Sequence, residues 1–450
     1  MLLEKGKKFI KLLEGMGFSA YIVGGTPRDV LLGKEAHDVD VATNCPQKIL
    51  RKKFRTYDIG KSKDFGILNV EFEGEFFEVA QYRSDGKYSD QRRPDSIKPV
   101  GSIEQDVFRR DFTINAMFMD WKGNIYDVVN GKADLDRRII KAVGDPIVRF
   151  TEDPLRMLRA ARFASIDDFT LEKRTRIAAR KLYKLVNVVT AERLRSEIIK
   201  AAERGGEEFA RYVIYLDELK LLAQLMPEVH AMKYFRQDMR HHPEGPTVFD
   251  HTLKALEISG DKPYISKLAI LFHDVGKCTS FQEHHGWKLS YHRHERDSAK
   301  LSRAIMERLK FNVSNVNAVE FAAANHMKFH DLLKMKDSKI ARLVANPHYP
   351  VLEDVAWADE FSRGETFRYF GEFEKEVKKA REIQERWESR MTSPRTSIVS
   401  GHLIMEVLNL KPGRKIGEIK TIVEDRIIDE KLDPDNKDLV IRLIKEASHD

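Results

Sequence analysis

Residues Gly24 to Asp40, GGTPRDVLLGKEAHDVD, constrain this chain more than any other stretch, because a glycine turn, an Arg-Asp pair and two carboxylates must be accommodated together. The apolar run Tyr21-Ile22-Val23 predicts a strand ending at Gly24-Gly25, where missing side chains allow close backbone approach to a phosphate. Arg28 and Asp29 then open a short helix, Val30 to Leu32, that stops at Gly33. His37 to Thr43 alternates polar and apolar, which predicts a strand with Asp38 and Asp40 on one face and Val39 and Val41 opposite. Two carboxylates on one face suit hard divalent cations completed by water and phosphate oxygens, which is magnesium chemistry. Two such ions about 3.5–4 Å apart stabilise attacking and leaving oxygens together. A glycine pair or an Asp-x-Asp alone reads more readily as a turn and a solvated strand edge. The combination reads as the nucleotide and metal end of a nucleotidyl-transfer site.

A chain of 450 residues is long enough for two to four domains, each with its own core. Lys and Arg number 78 against 71 Asp and Glu, and the formal charge of +7 favours an anionic partner, nucleic acid first. Cys45 and Cys278 have no paired spacing, so neither a disulfide framework nor a zinc ribbon is expected, and a reducing, cytoplasmic compartment fits. No apolar run approaches the roughly 18 residues of a membrane span, and Lys11 and Glu14 interrupt the apolar positions near the start. That segment reads as an amphipathic helix, and no membrane association is expected.

Beyond the opening motif the sequence predicts a helix near Pro46 to Phe54. A hairpin of Ile67 to Glu73 and Glu75 to Tyr82 follows, turning at Gly74. Glu78, framed by Phe77 and Val79, is a third carboxylate for the Asp pair or an outward strand residue; the pattern fits both. Arg83 to Pro99 is charged and rich in turn residues, which predicts a loop beside the site. In Arg109-Arg110-Asp111-Phe112-Thr113-Ile114-Asn115-Ala116 a guanidinium able to bind phosphate bidentately makes Arg110 a triphosphate or sugar contact, although an isolated RRD is more often a surface cluster. From about 146 strand signals fade. Glu152 to Phe163, EDPLRMLRAARF, predicts a helix with Pro154 in its first turn. Asp153, Arg156, Arg159 and Arg162 step by three and so share a slowly drifting face, a spacing that a salt-bridged solvent face also satisfies.

The set GGTPRDVLLG, HDVD, RRDFTINA and EDPLRMLRAARFA, in this order, strongly resembles the class II tRNA nucleotidyltransferase and bacterial poly(A) polymerase family over residues 20 to about 200. The resemblance implies transfer of nucleoside monophosphates from CTP and ATP to an RNA 3′ end. Asp38 and Asp40 match the catalytic metal ligands, with Glu78 beside them. Gly25, Arg28 and Arg110 match nucleotide contacts, and Gly24, Asp111 and Asn115 complete that set. Asp153, Arg156, Arg159 and Arg162 match the helix that reads the incoming base. Cytosine and adenine both present an exocyclic amino donor beside a ring-nitrogen acceptor, so a carboxylate next to a guanidinium selects the two together. Asp153 and Arg156 supply that pair. The chain departs from the family pattern at Thr26-Pro27, where an apolar residue commonly precedes Arg-Asp, and at Lys61 to Leu68, KSKDFGIL, in place of a histidine-glycine-threonine stretch. Basic helices between 175 and 235 offer phosphate contacts that carry no sequence information.

Twelve of the 15 histidines lie between His230 and His348, about three times an even share. His251 falls on a helix beginning near Phe249. His273-Asp274 closes the apolar helix Lys267 to His273. His294, His326 after the Ala-rich helix 318–324, and Asp359 follow in order. This order resembles the HD phosphohydrolase superfamily, in which His251, His273, Asp274 and Asp359 match the metal ligands, and His294 and His326 the additional histidines of two-metal members. Imidazoles with carboxylates suit manganese, nickel, iron or cobalt. The resemblance implies hydrolysis of 2′,3′-cyclic or terminal phosphates on RNA, with Lys277 offsetting phosphate charge. His284, His285, His292 and His330 read as ordinary helical or exposed histidines.

The tail reads as a charged helix, Phe367 to Met391, a linker Thr392 to Ser400, and a last helical bundle entered through Leu410 to Gly417, which resembles the family segment that holds the tRNA elbow. The expected architecture is an α/β nucleotidyltransferase head with a mixed sheet over 1–145, followed by three all-α parts. These are a neck over 146–235, an HD domain over 236–365 and a tail over 366–450. CCA addition to tRNA is the preferred activity. Poly(A) polymerase and CC- or A-only addition share the same motifs, and a phosphohydrolase with an RNA-binding head is the rival of another class.

Overall fold

A computed structural model of the protein describes residues 1–36, 38–58, 67–86, 96–239, 242–284, 288–364, 370–388 and 398–448. His37, His285, most of the KSKDFGIL stretch, the centre of the 83–99 loop and most of the 392–400 linker lie outside them. The chain divides into two compact units, Met1–Arg204 with Glu208–His230, and Gly205–Glu207 with Ala231–Asp450.

The first unit is built on a mixed sheet of β1 (Ala20–Val23), β2 (Asp40–Thr43), β3 (Arg55–Tyr57), β4 (Ile67–Phe72), β5 (Glu75–Gln81), β8 (Met117–Met119) and β9 (Ile125–Asp127), while β6 (Arg83–Asp85) and β7 (Ile97–Pro99) pair separately. The sheet order is β3-β4-β5-β2-β1-β8-β9, with β2 and β5 parallel and the other neighbours antiparallel. Successive side chains on a strand point to opposite faces, and both faces of the central strands are covered. Ile22 and Val41 join Phe9, Ile10, Leu13, Val70 and Phe77 on one side. Val23 and Ala42 join Tyr82, Val107 and Phe118 on the other. Each fully buried large side chain contributes about 1.5–3 kcal/mol, so β1 and β2 are held firmly where their ends reach the Gly24–Asp40 motif. The β4–β5 hairpin turns at Glu73 and Gly74, with φ of 47° and 78°. The ends of the 83–99 segment form the β6–β7 ladder, where an irregular loop was expected.

The helix after β1 runs Gly25–Leu31, starting five residues earlier than the spacing predicts. Gly24 at its N-cap has φ 75°, a left-handed value that favours glycine. Pro27 consequently falls in the first turn, where a missing N–H costs no intrahelical bond. This accounts for Thr26-Pro27 as helix-start residues. Farther along, the expected single helix from Glu152 is two, Pro146–Glu152 and Leu155–Ala164. Asp153 between them is extended, φ −143° and ψ 97°, because the residue before a proline is driven out of the helical region.

The second unit is mainly helical, but Phe281–His284 and Lys288–Tyr291 form an antiparallel pair, and in the first unit Ile139–Ile140 pairs with Thr170–Leu171, so the chain beyond 146 is not wholly helical. The Ala-rich helix spans Val313–Phe329 and contains His326 in its last turn, instead of ending before it. Helices Gly401–Leu408, Arg414–Asp429 and Lys437–Ala447 enclose a core of Ile404, Val423, Ile427 and Ile444. Among the described residues no helix is long and apolar enough to cross a membrane.

Candidate active sites

A cleft of about 620 Å³ in the first unit is lined by Gly24, Gly25, Arg28, Asp38, Asp40, Arg110, Asp111, Asn115, Arg159 and Arg162. Val39 and Val41 are buried while Asp38 is exposed and Asp40 half-buried, but the strand begins at Asp40, so Asp38 precedes it instead of lying on its face as expected. Gly24 is favoured by its φ, and it also leaves room at the carboxylate, since a Cβ there would stand 3.0 Å from Asp40 Oδ2. Thr26 Oγ1 donates to the Asp38 carbonyl at 2.5 Å and ties the helix start to the carboxylate segment. Burial and the charges of Asp38 and Glu78 push Asp40 up to about 7, and burial with Asp38 also raises Glu78. Three carboxylates that crowd one another in this way form a donor set suited to hard cations. Glu78 neighbours the pair through the β2–β5 ladder but does not line the cleft.

Cationic groups cover the rest of the cleft. Arg110 donates to the fully buried Asp106 at 2.9 Å and lies 4.7 Å from the Phe118 ring centre. Arg109 Nε reaches the same carboxylate at 2.6 Å. Burial opposes ionisation of Asp106, yet the two guanidiniums hold it below the usual carboxylate range. Arg28 donates to Asn115 Oδ1 at 2.7 Å and to Asp29, and Arg159 donates to Asp111 Oδ2 through two nitrogens at 2.8 and 2.6 Å. Arg162 donates to buried Glu197 at 2.7 Å. The guanidiniums of Arg28, Arg159 and Arg162 gather around Phe163, 5.5, 5.4 and 4.4 Å from its ring centre. Phe163, Glu203 and Arg204 also line the cleft and were not singled out from sequence, and Lys200, one of the basic residues expected to neutralise phosphates, lines it as well. Asp106 was legible as the residue three and four positions before Arg109 and Arg110; Glu197 had no local signal.

Asp153 and Arg156 stand apart from the cleft lining. Asp153 is outside the Leu155–Ala164 helix, so it does not share the expected helical face with the three arginines. Its carboxylate accepts from Arg193 at 3.1 and 2.8 Å. Arg156 turns to Glu152 at 2.9 Å and to the Arg109 carbonyl at 2.8 Å. Of the four residues expected to read a base, the structure brings Arg159 and Arg162 into the cleft and keeps Asp153 and Arg156 in separate ion pairs.

In the second unit five helices converge on a buried cluster. His251 lies in the first turn of Val248–Ile258, fixed by a Thr247–Asp250 capping box. His273 and Asp274 follow Tyr264–Phe272, His294 opens His294–Arg308, and Asp359 ends Tyr349–Phe361. Gly276 permits the approach, because a Cβ there would stand 2.3 Å from the His294 carbonyl and from Ser298 N. Asp274 faces both ways. Its Oδ2 is 3.7 Å from His251 Nε2 and 3.3 Å from His273 Nε2, while its Oδ1 is 3.2 Å from His294 Nε2 and 3.7 Å from His326 Nε2. His251 Nε2 also lies 3.1 Å from Asp359 Oδ1. His251 Nε2 and His273 Nε2 are buried and make no hydrogen bond among the described residues, which is how donors aimed at a cation are arranged. The residues present therefore fit one cation position at His251, His273 and Asp274, with Asp359 adjoining through His251, and another at Asp274, His294 and His326.

Burial disfavours ionisation of Asp274, but Lys277 at 2.6 Å and His273 hold it well below the usual carboxylate range. Burial and His273 push His326 down to about 3. His330, which read as ordinary from sequence, is tied to Asp359 and Glu360 at 3.2 Å each and, against burial, raised to about 9. Glu244 and His242 adjoin His251 and were also missed, since nothing in their local pattern distinguishes them.

Comparison with known proteins places these features in a family. Residues 20–141 match the Poly A polymerase head domain, 168–233 the probable RNA and SrmB-binding site of polymerase A, and 248–364 the HD domain. The CCA-adding enzyme of Lactobacillus helveticus is 41% identical over 245 residues, so that the match spans 54% of this chain and 60% of the length of that relative. The CCA-adding enzyme of Lactococcus lactis subsp. cremoris is 30% identical over 420 residues, 92% of this chain and 90% of the relative. The fold is similar to that of the Bacillus stearothermophilus CCA-adding enzyme crystallised with CTP, with a TM-score of 0.74 at 23% identity over 99% of this chain and 97% of that one. With a relative of this identity aligned along nine-tenths of its length, the chain belongs to the family of CCA-adding enzymes.

Proposed function

We propose that this protein adds C, C and A to tRNA 3′ ends from CTP and ATP. The observation that carries the reading is the carboxylate pair Asp38 and Asp40, with Glu78 adjoining, at a cleft otherwise bordered by Arg28, Arg110, Arg159 and Arg162. Asp38 and Asp40, with Glu78 adjoining, would hold magnesium, which when bound supplies charge neutralisation for the attacking RNA 3′ hydroxyl and the departing pyrophosphate. Gly24 and Gly25 leave room for the triphosphate, and Arg28 and Arg110 bind and orient it. Arg204 strengthens that assignment, because burial and the charges of Arg162 and Arg28 push its guanidinium down and an anion would relieve the crowding. Asp111 and Asn115 hold Arg159 and Arg28 in place. Asp153, aimed by Arg193, and Arg156 discriminate C and A from U and G, and Arg159 and Arg162 support the base from the helix that carries Arg156. The relatives named above are CCA-adding enzymes, and this supports the assignment of tRNA as acceptor.

The test uses tRNAs ending before C74, C75 or A76, the positions of the tRNA tail, with each nucleotide singly and mixed. Addition of three nucleotides followed by arrest is expected. A continuing A tract, or addition that halts after CC or A alone, replaces the reading with one of the sister activities.

For the second unit we infer hydrolysis of 2′,3′-cyclic or terminal phosphates on RNA. His251, His273, Asp274, His294, His326 and Asp359 would hold a transition-metal pair, which when bound supplies an activated water at neutral pH. Lys277, buried beside Asp274, is placed to offset phosphate charge. Metal-loaded protein should hydrolyse 2′,3′-cyclic nucleotides, and His273→Ala should not; equal activity of the two would reject the assignment.

A further inference from the structure

We infer that Glu244 is a positioning residue that sets one cation position of the second unit apart from the other. The inference rests on the metal-dependent reading of that cluster. Four histidines of the cluster point Nε2 inward, so the partner of each Nδ1 decides its tautomer and its strength as a donor. Three lean on backbone carbonyls. His273 Nδ1 meets Ile270 O at 2.7 Å, His294 Nδ1 meets Tyr291 O at 2.9 Å, and His326 Nδ1 meets Ala323 O at 2.8 Å.

His251 alone leans on a carboxylate: its Nδ1 meets Glu244 Oε1 at 2.7 Å, with the Ser362 hydroxyl farther off at 3.2 Å. The side chain of Glu244 is 3% exposed, and the same Oε1 accepts from His242 Nδ1 at 2.9 Å. Its second oxygen is buried with no hydrogen-bond partner among the described residues, which concentrates its charge on the two imidazoles. An anionic acceptor on Nδ1–H makes Nε2 a stronger donor than a neutral carbonyl does. His251 serves only the position shared with His273 and Asp359. Among the described residues the His294–His326 position has no such carboxylate behind its rings, so the two positions differ in affinity and Glu244 is the cause.

The experiment is manganese titration of the full-length, metal-depleted protein by calorimetry, with electron paramagnetic resonance to count coupled and isolated ions. Glu244→Gln keeps an oxygen for His251 and removes the charge. It should weaken one of two manganese positions by about 10- to 100-fold and leave the other unchanged. At one equivalent the isolated-ion signal should shift to that of a His294–His326 site, and the melting temperature of the metal-free protein should stay at the wild-type value. His242→Gln, which keeps the Glu244–His251 bond, should titrate like wild type. Equal weakening of both positions, or no weakening, overturns the inference. So does a third manganese in wild type that both variants lose, because Glu244 would then be a ligand itself. Wild-type protein that takes up no manganese removes the metal-dependent reading beneath the proposal, an outcome distinct from the others.

Discussion

Arg193 grips Asp153 through both terminal guanidinium nitrogens, at 3.1 and 2.8 Å, across 40 positions of sequence. The pair forms because the Asp153-Pro154 junction holds Asp153 extended between two helices while Arg193 projects from Ala191–Ala202. A carboxylate held by a planar fork is kept aimed, and a lysine supplies charge without the fork. Arg193→Lys should therefore relax nucleotide choice more than it lowers CTP turnover. The expected loss is about 10-fold in the ratio of CTP and ATP to UTP and GTP incorporation. Asp153→Ala should do at least as much. Unchanged ratios in single-nucleotide assays would remove Asp153 from base selection.

Protons and magnesium should compete for Asp40. Its carboxyl is pushed up to about 7 by burial, Asp38 and Glu78, so the folded, metal-free protein holds a proton there that the unfolded chain releases at ordinary carboxylate pH. The sign is that of a raised acid: metal-free stability declines as pH climbs from the carboxylate range to about 7. The magnesium concentration for half-maximal transfer should fall about tenfold per pH unit below 7 and level off above it. A flat magnesium requirement between pH 6 and 8 would show that the Asp40 carboxyl is already ionised across that range, so that protons do not compete there. Asp40→Asn should abolish transfer while leaving tRNA binding.

Thr26 tests whether the helix start positions the carboxylates. Thr26→Val preserves shape but loses the hydroxyl bond to the Asp38 carbonyl, which should cost about 1 kcal/mol in urea unfolding. If that bond also fixes Asp38, kcat should drop while KM for CTP holds. A loss of stability without a change in kcat would make Thr26 structural only.

Local patterns carried much of the fold into view. The alternation around Asp38 and Asp40 and the apolar runs of β1, β4 and β5 specify strands by period, and the cleft residues from Gly24 to Asn115 follow from the same motifs. Helix boundaries were misjudged where proline controls them. Pro27 lies in the first turn of a helix that begins at Gly25, ahead of the expected start, and Pro154 split a helix by forcing Asp153 extended. Long-range partners had no signature: Glu197 lies 35 residues from Arg162 and Arg193 lies 40 from Asp153, and ion pairs of that separation depend on packing that periodicity does not encode. The histidine cluster was legible as a set, because each ligand sits at a helix end or turn. Glu244, which meets it from a preceding loop, was not.

Asp106 separates positioning from stability most directly. It is fully buried and accepts from Arg109, Arg110 and the Arg83 backbone N–H. Asp106→Ala would leave two guanidiniums without their shared carboxylate and should destabilise the first unit by about 3–5 kcal/mol. Asp106→Asn retains shape and one accepting oxygen for Arg109 and the Arg83 N–H but puts an amide nitrogen, which cannot accept, where Arg110 donated, so it is the informative variant. The depressed carboxyl contributes stability above the ordinary carboxylate range, and that stability is lost as pH falls through the folded-state value. The Asn variant should accordingly show a shallower acid limb in urea unfolding between pH 5 and 3 than wild type. In its folded range the Asn variant should raise KM for both CTP and ATP by a similar factor, because Arg110 then meets the triphosphate without its anchor, a contact common to both nucleotides. A change confined to one nucleotide would place Arg110 at the base instead of the phosphates.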